Sequence, residues 1–263
     1  MANKHGDFIW YELLTSDADA AQDFYGALLG WDFADSGQAG MDYREFSMKS
    51  EGIGGLLPLT PEMTANGAQP CWLGYVTVED VDRMADAISS AGGSVHVQPQ
   101  DIPGVGRFAM VADQQGAIFY VMTPSPPTEK PDATSLAFAA TEPMIGHCAW
   151  NELATSDTPA ALNFYHDLFG WEKEGEMDMG PMGTYNFLRH DFMIGAMMDK
   201  PDAMPVSAWT YYFRVADIDE AVKTIIAKGG QIRLEPTEIP GGEFQLNAVD
   251  PQGAAFALIG ARK

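Results

Sequence analysis

At 263 residues the chain has room for two domains of about 130 residues, each within the usual range for an independent core. The 37 acidic against 15 basic residues give a formal net charge of -22, a surface that repels nucleic-acid phosphates and anionic headgroups, so neither nucleic acid nor membrane is expected as a partner. No apolar run approaches the roughly 18 residues of a membrane helix, and Cys71 and Cys148 stand too far apart for a disulfide framework or a zinc knuckle.

The first residues, Met1 to Asp7, lack an apolar stretch with a small-residue cleavage site, so a cytoplasmic protein without a signal peptide is expected. An extended segment follows, in which Trp10 and Glu12 share one face while Ile9, Tyr11 and Leu13 share the other. Thr15-Ser16-Asp17 then supplies N-cap oxygens. Ala20, Phe24 and Leu28 recur on one helical face, and Gly30 stops the helix. Segments rich in Val, Phe, Tyr and Met, cut by Gly and Pro, predict three strands.

The same plan repeats from Leu73, with Asp80 as cap, Val81, Met84 and Ile88 on the apolar face and Gly92-Gly93 as stop. Next comes Pro124-Ser-Pro-Pro-Thr-Glu-Lys-Pro131, where proline mixed with charge predicts a strap without regular structure. Beyond it Trp150-Asn-Glu-Leu-Ala-Thr-Ser-Asp157 returns Trp10-Tyr-Glu-Leu-Leu-Thr-Ser-Asp17 at an offset of 140 positions. Helices are predicted from Asp157 to Gly170 and from Asp217 to Gly229-Gly230. The chain therefore reads as modules A and B, a linker, and modules A′ and B′. The expected boundaries are domain 1 over 1–124, linker 125–142 and domain 2 over 143–263.

Four βαβββ modules in two pairs, with Phe24-Tyr25 and Phe164-Tyr165 in the helices and Asp250-Pro251-Gln252-Gly253 (Asp113-Gln114-Gln115-Gly116 in the first half) before the last strand, resemble the vicinal oxygen chelate superfamily of glyoxalases, bleomycin-resistance proteins and dioxygenases. The resemblance implies an α+β fold: two such domains, their cup-shaped mixed sheets carrying helices on the outside. It also implies where metal ligands would stand. The first-strand His positions fall on Trp10 and Trp150, with Leu73 and Thr210 in modules B and B′. The last-strand Glu falls on Tyr120 and Ala257, and the module A positions on Gly54-Gly55 and Gly195-Ala196. These do not make a His-His-carboxylate set, so no metal and no other cofactor is expected.

In place of a metal, Trp10 with Glu12 and Trp150 with Glu152 would face the cup interior. An indole can stack on a flat ligand and a carboxylate can orient a donor on it. A plugged, purely structural cup accounts for the same residues. Arg107, after a Gly-Val-Gly turn, is a candidate for an anionic ligand group or a surface ion pair, with Glu243 in its approximate place in the second half. Tyr43 and Tyr185, read as matched positions ahead of Phe46 and Phe187, are candidates for lining or core, and Tyr120 joins the ligand set. The expected function is metal-independent binding of an aromatic or amphipathic small molecule by a monomer or homodimer. The alternative is a lyase, isomerase or glyoxalase-type enzyme with Glu12 or Glu152 as general base.

Overall fold

A computed structural model describes residues 3–38, 40–125, 133–139 and 141–263. Module A runs β1 (Phe8–Thr15), α1 (Ala18–Leu29), β2 (Asp32–Asp35), β3 (Arg44–Met48) and β4 (Glu51–Pro58). A one-turn helix α2 (Pro61–Ala65) leads to module B: β5 (Cys71–Thr77), α3 (Val81–Ser90), β6 (Ser94–Ile102), β7 (Gly106–Ala112) and β8 (Ile118–Pro124). Module A′ is β9 (Cys148–Thr155), α4 (Thr158–Phe169), β10 (Glu172–Asp178), β11 (Thr184–His190) and β12 (Phe192–Asp199). Module B′ is β13 (Ala208–Val215), α5 (Ile218–Ala227), β14 (Gln231–Glu238), β15 (Phe244–Val249) and β16 (Ala255–Gly260). The strands form two eight-stranded mixed sheets, ordered β2-β3-β4-β1-β5-β8-β7-β6 and β10-β11-β12-β9-β13-β16-β15-β14. The α+β fold of four βαβββ modules is thus the one expected. Of the predicted strap, residues 126–132 and 140 lie outside the described residues. No helix among the described residues is long and apolar enough to cross a membrane.

The four long helices begin alike because each has an aspartate whose carboxylate accepts an otherwise orphan backbone N–H: Asp17 from Ala20, Asp80 from Arg83, Asp157 from Ala160 and Asp217 from Asp219, all at 3.0 Å. Gly30 and Gly170 close α1 and α4 at φ 73° and 71°, in the left-handed region that glycine enters without a Cβ penalty. One expectation needs correcting here. The fully buried stripe of α1 is Ala21, Phe24, Tyr25 and Leu29, whereas Ala20 and Leu28 are half-buried. The helix is rotated by about one position because the Tyr25 hydroxyl has a buried partner, described below.

Packing gathers the chain into two compact units. One comprises Met1–Ile9, Gly74–Ser135 and Trp150–Trp209, essentially modules B and A′; the other comprises Trp10–Leu73, Leu136–Ala149 and Thr210–Lys263, essentially modules A and B′. In the A and B′ unit the core is aromatic: Trp31 stacks on Phe46 with centroids 4.2 Å apart and meets Phe213 edge-on at 5.1 Å, while its Nε1 donates to the Gly146 carbonyl at 2.7 Å. The B and A′ unit repeats this device, with Trp171 stacked on Tyr165 at 5.0 Å and its Nε1 donating to the Gly6 carbonyl at 2.9 Å. Each such ring contributes about 1.5–3 kcal/mol through burial, and its one polar atom is satisfied by backbone.

Within each unit a tyrosine hydroxyl from the helix meets a buried aspartate from the turn before a last strand. Tyr25 donates to Asp250 at 3.0 Å and accepts from Trp72 Nε1 at 3.0 Å. Tyr165 donates to Asp113 at 3.2 Å and accepts from Trp209 Nε1 at 3.2 Å. The other oxygen of Asp250 accepts the backbone N–H groups of Gln252, Gly253 and Ala254, and that of Asp113 those of Gln115 and Ala117. Both carboxylates are 3% exposed or less, yet each has partners on both oxygens, which is what allows them to be buried.

Candidate functional site

The strand alternation read from the sequence puts Trp10 and Glu12 on one face of β1, and the register extends that face across the module. Glu12 lies opposite Gly55 on β4, which lies opposite Glu45 on β3. Tyr43, two residues before Glu45, reaches back over Gly55. Its hydroxyl accepts from Trp10 Nε1 at 3.0 Å and hydrogen-bonds the Glu12 carboxylate. Burial, and after it the Glu12 charge, hold the Tyr43 hydroxyl well above the ordinary phenol pKa, so it remains a donor. A side chain at Gly55 is excluded, since a Cβ there would stand 1.9 Å from the Tyr43 hydroxyl oxygen. Cys71 adjoins this group: burial, with the Glu12 charge second, raises its thiol to about 12, which keeps it protonated and unreactive.

Module A′ repeats the arrangement with closer distances. Trp150 Nε1 donates to the Tyr185 hydroxyl at 2.8 Å, and that hydroxyl donates to Glu152 at 2.6 Å. Here Glu152 lies opposite Ala196, which lies opposite Phe187. The register corrects the sequence alignment: the counterpart of Phe187 is Glu45, and that of Phe46 is Leu188, on the opposite, core side. The two copies therefore differ. Around Glu12, which is 3% exposed, the face carries the half-buried rings of Trp10 and Tyr43 with Gly55 and the exposed Glu45. Around Glu152, which is half-buried, it carries the half-buried rings of Trp150, Tyr185 and Phe187 and, two residues after Ala196, the half-buried Met198. Phe187 meets Tyr185 edge-on at 5.5 Å and Trp150 at 6.2 Å.

The remaining candidates go elsewhere. Arg107 is taken up by an ion pair: its guanidinium donates to both oxygens of Asp82 at 2.6 and 2.8 Å and to Asp101 at 3.1 Å. Tyr120 is buried and stacks on Tyr75 at 4.2 Å, with Phe108 edge-on at 5.9 Å. Concavities of about 500 Å³ beside Asp82 and Gln98, and of about 400 Å³ beside Asp19 and Phe33, share no residue with either Trp-Tyr-Glu group. The first has no aromatic lining, and the second, lined by Trp31 and Phe33, is rimmed by the carboxylates of Asp19, Asp23 and Asp32.

Metal ligation can be tested against the donors present. Among the described residues no group of three or more His, Cys, Asp or Glu is placed to hold a metal ion. An indole N–H offers no lone pair, so Trp10 and Trp150 cannot ligate, and Glu152 has Tyr185 as its neighbour rather than a second carboxylate or imidazole. The residues do not fit a divalent metal centre. Sequence reasoning did not put Phe187 on the Glu152 face, because that depends on the register of β11.

Comparison with known proteins agrees with this architecture. The family model described as Glyoxalase/Bleomycin resistance protein/Dioxygenase superfamily matches residues 8–120 and again 144–258. A Mycobacterium tuberculosis protein named "Putative glyoxylase CFP32" is 31% identical over 95% of this chain and 93% of its own length. The "Anthracycline biosynthesis protein DnrV" of Streptomyces peucetius is 28% identical over 97% of this chain and 93% of its own. Among solved structures, the Mn(II)-bound glyoxalase of Novosphingobium aromaticivorans superimposes with a TM-score of 0.64 at 15% identity, covering 99% of this chain and 83% of that one, a likeness of fold.

Proposed function

The chain belongs to the Glyoxalase/Bleomycin resistance protein/Dioxygenase superfamily, and on that premise we propose that it binds a flat organic small molecule, without a divalent metal, on the Trp150-Tyr185-Glu152 face of module A′. The observation that carries this reading is the contrast between the copies. Three half-buried rings and Met198 flank a half-buried Glu152, while Glu12 is sealed at 3% exposure. Aromatic and thioether surface supplies stacking area for a planar ligand, and a carboxylate held at 2.6 Å by Tyr185 gives one directional acceptor for a hydroxyl or amine on it. Two relatives bear the name anthracycline biosynthesis protein, and a fused-ring aromatic is the ligand class that such a face fits.

The direct experiment is thermal unfolding with 1,8-dihydroxyanthraquinone, riboflavin and 1,4-naphthoquinone, because a ligand bound only to the folded state raises the melting temperature. A rise with at least one of them, lost in Trp150→Ala and in Glu152→Gln and unaffected by EDTA, is the expected result. Absence of any rise with all three compounds overturns the reading.

The relative named as a glyoxylase favours a second reading, in which Glu152, oriented by Tyr185, acts as general base of a lyase, isomerase or glyoxalase-type reaction. Glu12, buried away from solvent, is unsuited to that role. Turnover abolished in Glu152→Gln with the fold intact supports catalysis, and turnover unchanged in that variant excludes it.

A further inference from the structure

The tip of the β10 to β11 hairpin in module A′ carries methionine three times in six positions, as Met177-Asp-Met179-Gly-Pro-Met182. Closing the hairpin does not require them. In module A the matching stretch, Ser36-Gly-Gln-Ala-Gly-Met-Asp42, has one methionine. Ser36 still donates its backbone N–H to the Tyr43 carbonyl at 3.0 Å, and so stands opposite that tyrosine as Met177 stands opposite Tyr185. Filling a core does not account for the thioethers either, because Met182 is 53% exposed and Met177 and Met179 are only half-buried.

The backbone sets the three side chains on one side of the tip. Met177 pairs with Tyr185 and Asp178 with Thr184, and the Met179 N–H donates to the Gly183 carbonyl at 2.9 Å, which carries the ladder one step further. Strand alternation then puts Met177 and Met179 on the same face, with Asp178 on the other. Gly180–Met182 forms a single 3-10 turn, in which the Met182 N–H donates to the Met179 carbonyl at 3.4 Å. Side chains three apart in such a turn eclipse, so Met179 stands beside Met177 along the strand and beside Met182 across the turn. Both spacings are about 6–7 Å between Cα atoms, and three rotatable bonds per methionine let the sulfurs close on one point between them. Gly180, at φ 61°, has open space around it, which leaves the tip accessible.

A thioether is a neutral, polarisable donor with no proton to lose. Oxygen and imidazole donors suit Mg, Mn and Zn, whereas thioether sulfur suits Cu(I). A net charge of -22 favours the approach of any cation, and the donor type then decides which one is held. We propose that the β10 to β11 tip binds one Cu(I) ion through the sulfurs of Met177, Met179 and Met182. This site is made of one hairpin, uses no carboxylate or imidazole, and does not rest on the reading of the Trp150 face.

Ag(I), equal in charge to Cu(I), similarly soft and stable in air, is the probe. With the full chain labelled at its methionine methyl carbons, NMR in chloride-free buffer should show the Met177, Met179 and Met182 signals moving together along one titration curve. Replacing each methionine in turn with leucine, which fits nearly the same volume, assigns the signals while the fold is kept. Zn(II) should move none of the three. In Met182→Leu the Met177 and Met179 signals should stay in place at the silver concentration that saturates the parent, as happens when three donors share one ion. The response should be the same at about pH 7.5 and about pH 5.5, a range over which imidazole and thiolate donors take up protons and thioethers do not. Trp150→Ala should leave it intact, so failure of this site and failure of the Trp150 face are distinguishable. Signals that stay still in the parent, an equal response to Zn(II), or movement of Met177 and Met179 undiminished in Met182→Leu overturns the proposal.

Discussion

The Tyr25 hydroxyl donates to Asp250 at 3.0 Å across 225 positions of sequence, and Tyr165 does the same to Asp113. Phe-Tyr in a helix and Asp-x-Gln-Gly before a last strand are the very motifs by which the fold is recognisable. Their meeting gives them a physical reason to recur. Each pair ties a helix of one half of the chain to a turn of the other, in a core where an unpaired carboxylate would be expensive.

Tyr25→Phe should therefore destabilise the protein by about 1–3 kcal/mol, the usual cost of leaving a buried acceptor short of a donor. The denaturation midpoint reads this directly. Combining it with Asp250→Asn should cost less than the two single changes added together, because they share one hydrogen bond. Strict additivity would mean that the contact carries no coupling energy.

The same aspartates set an unusual pH dependence. Burial, the largest influence on each, raises both carboxyls above the ordinary 3.8, although the backbone N–H and tyrosine hydrogen bonds pull the other way. A group whose folded pKa lies above its unfolded one binds its proton more tightly in the folded state. Its favourable contribution is complete below 3.8 and is lost as pH rises through the higher folded value. Asp113→Asn with Asp250→Asn should thus compare worse with the parent below pH 3.8 than at pH 7. A stability difference that is flat across that range would show that neither group titrates abnormally.

Much of this could be read in the sequence, and the limits have physical causes. Period-two alternation sufficed to put Trp10 with Glu12 and Trp150 with Glu152, and aspartate followed by apolar periodicity located all four long helices. The donor role of Tyr43 and Tyr185 was out of reach, because it depends on how β3 and β11 register against their neighbours. The misalignment of Phe46 with Phe187 has the same origin: one residue of slip moves a side chain to the other face of a strand. Which modules pack together was equally hidden, being decided by contacts such as Tyr25 with Asp250 that leave no local signature.

The glycines of β4 lead to an asymmetric prediction. Gly55→Ala drives a Cβ into the Tyr43 hydroxyl, 1.9 Å away, so it should displace the ring, break the Trp10 hydrogen bond and cost about 1–3 kcal/mol. In module A′ the matching residue is already alanine, so Ala196→Gly should leave the Trp150 to Tyr185 bond in place. Near-ultraviolet circular dichroism reports the tryptophan environments. An unchanged spectrum in Gly55→Ala would show that Tyr43 is not held as described.

The two glutamates should also separate stability from binding. Glu12 is sealed beneath Tyr43, so Glu12→Gln removes a buried acceptor and should lower the unfolding midpoint while leaving anthraquinone binding at module A′ near the parental level. Glu152 is half-buried, and water can replace much of what Glu152→Gln removes, so stability should change less. Affinity should fall by tenfold or more, because a carboxylate accepts a ligand hydroxyl more strongly than an amide oxygen does. Calorimetry on both variants, alongside their denaturation curves, decides the matter. If Glu12→Gln loses the ligand and Glu152→Gln keeps it, the binding face lies in module A and the exposure argument has chosen the wrong copy.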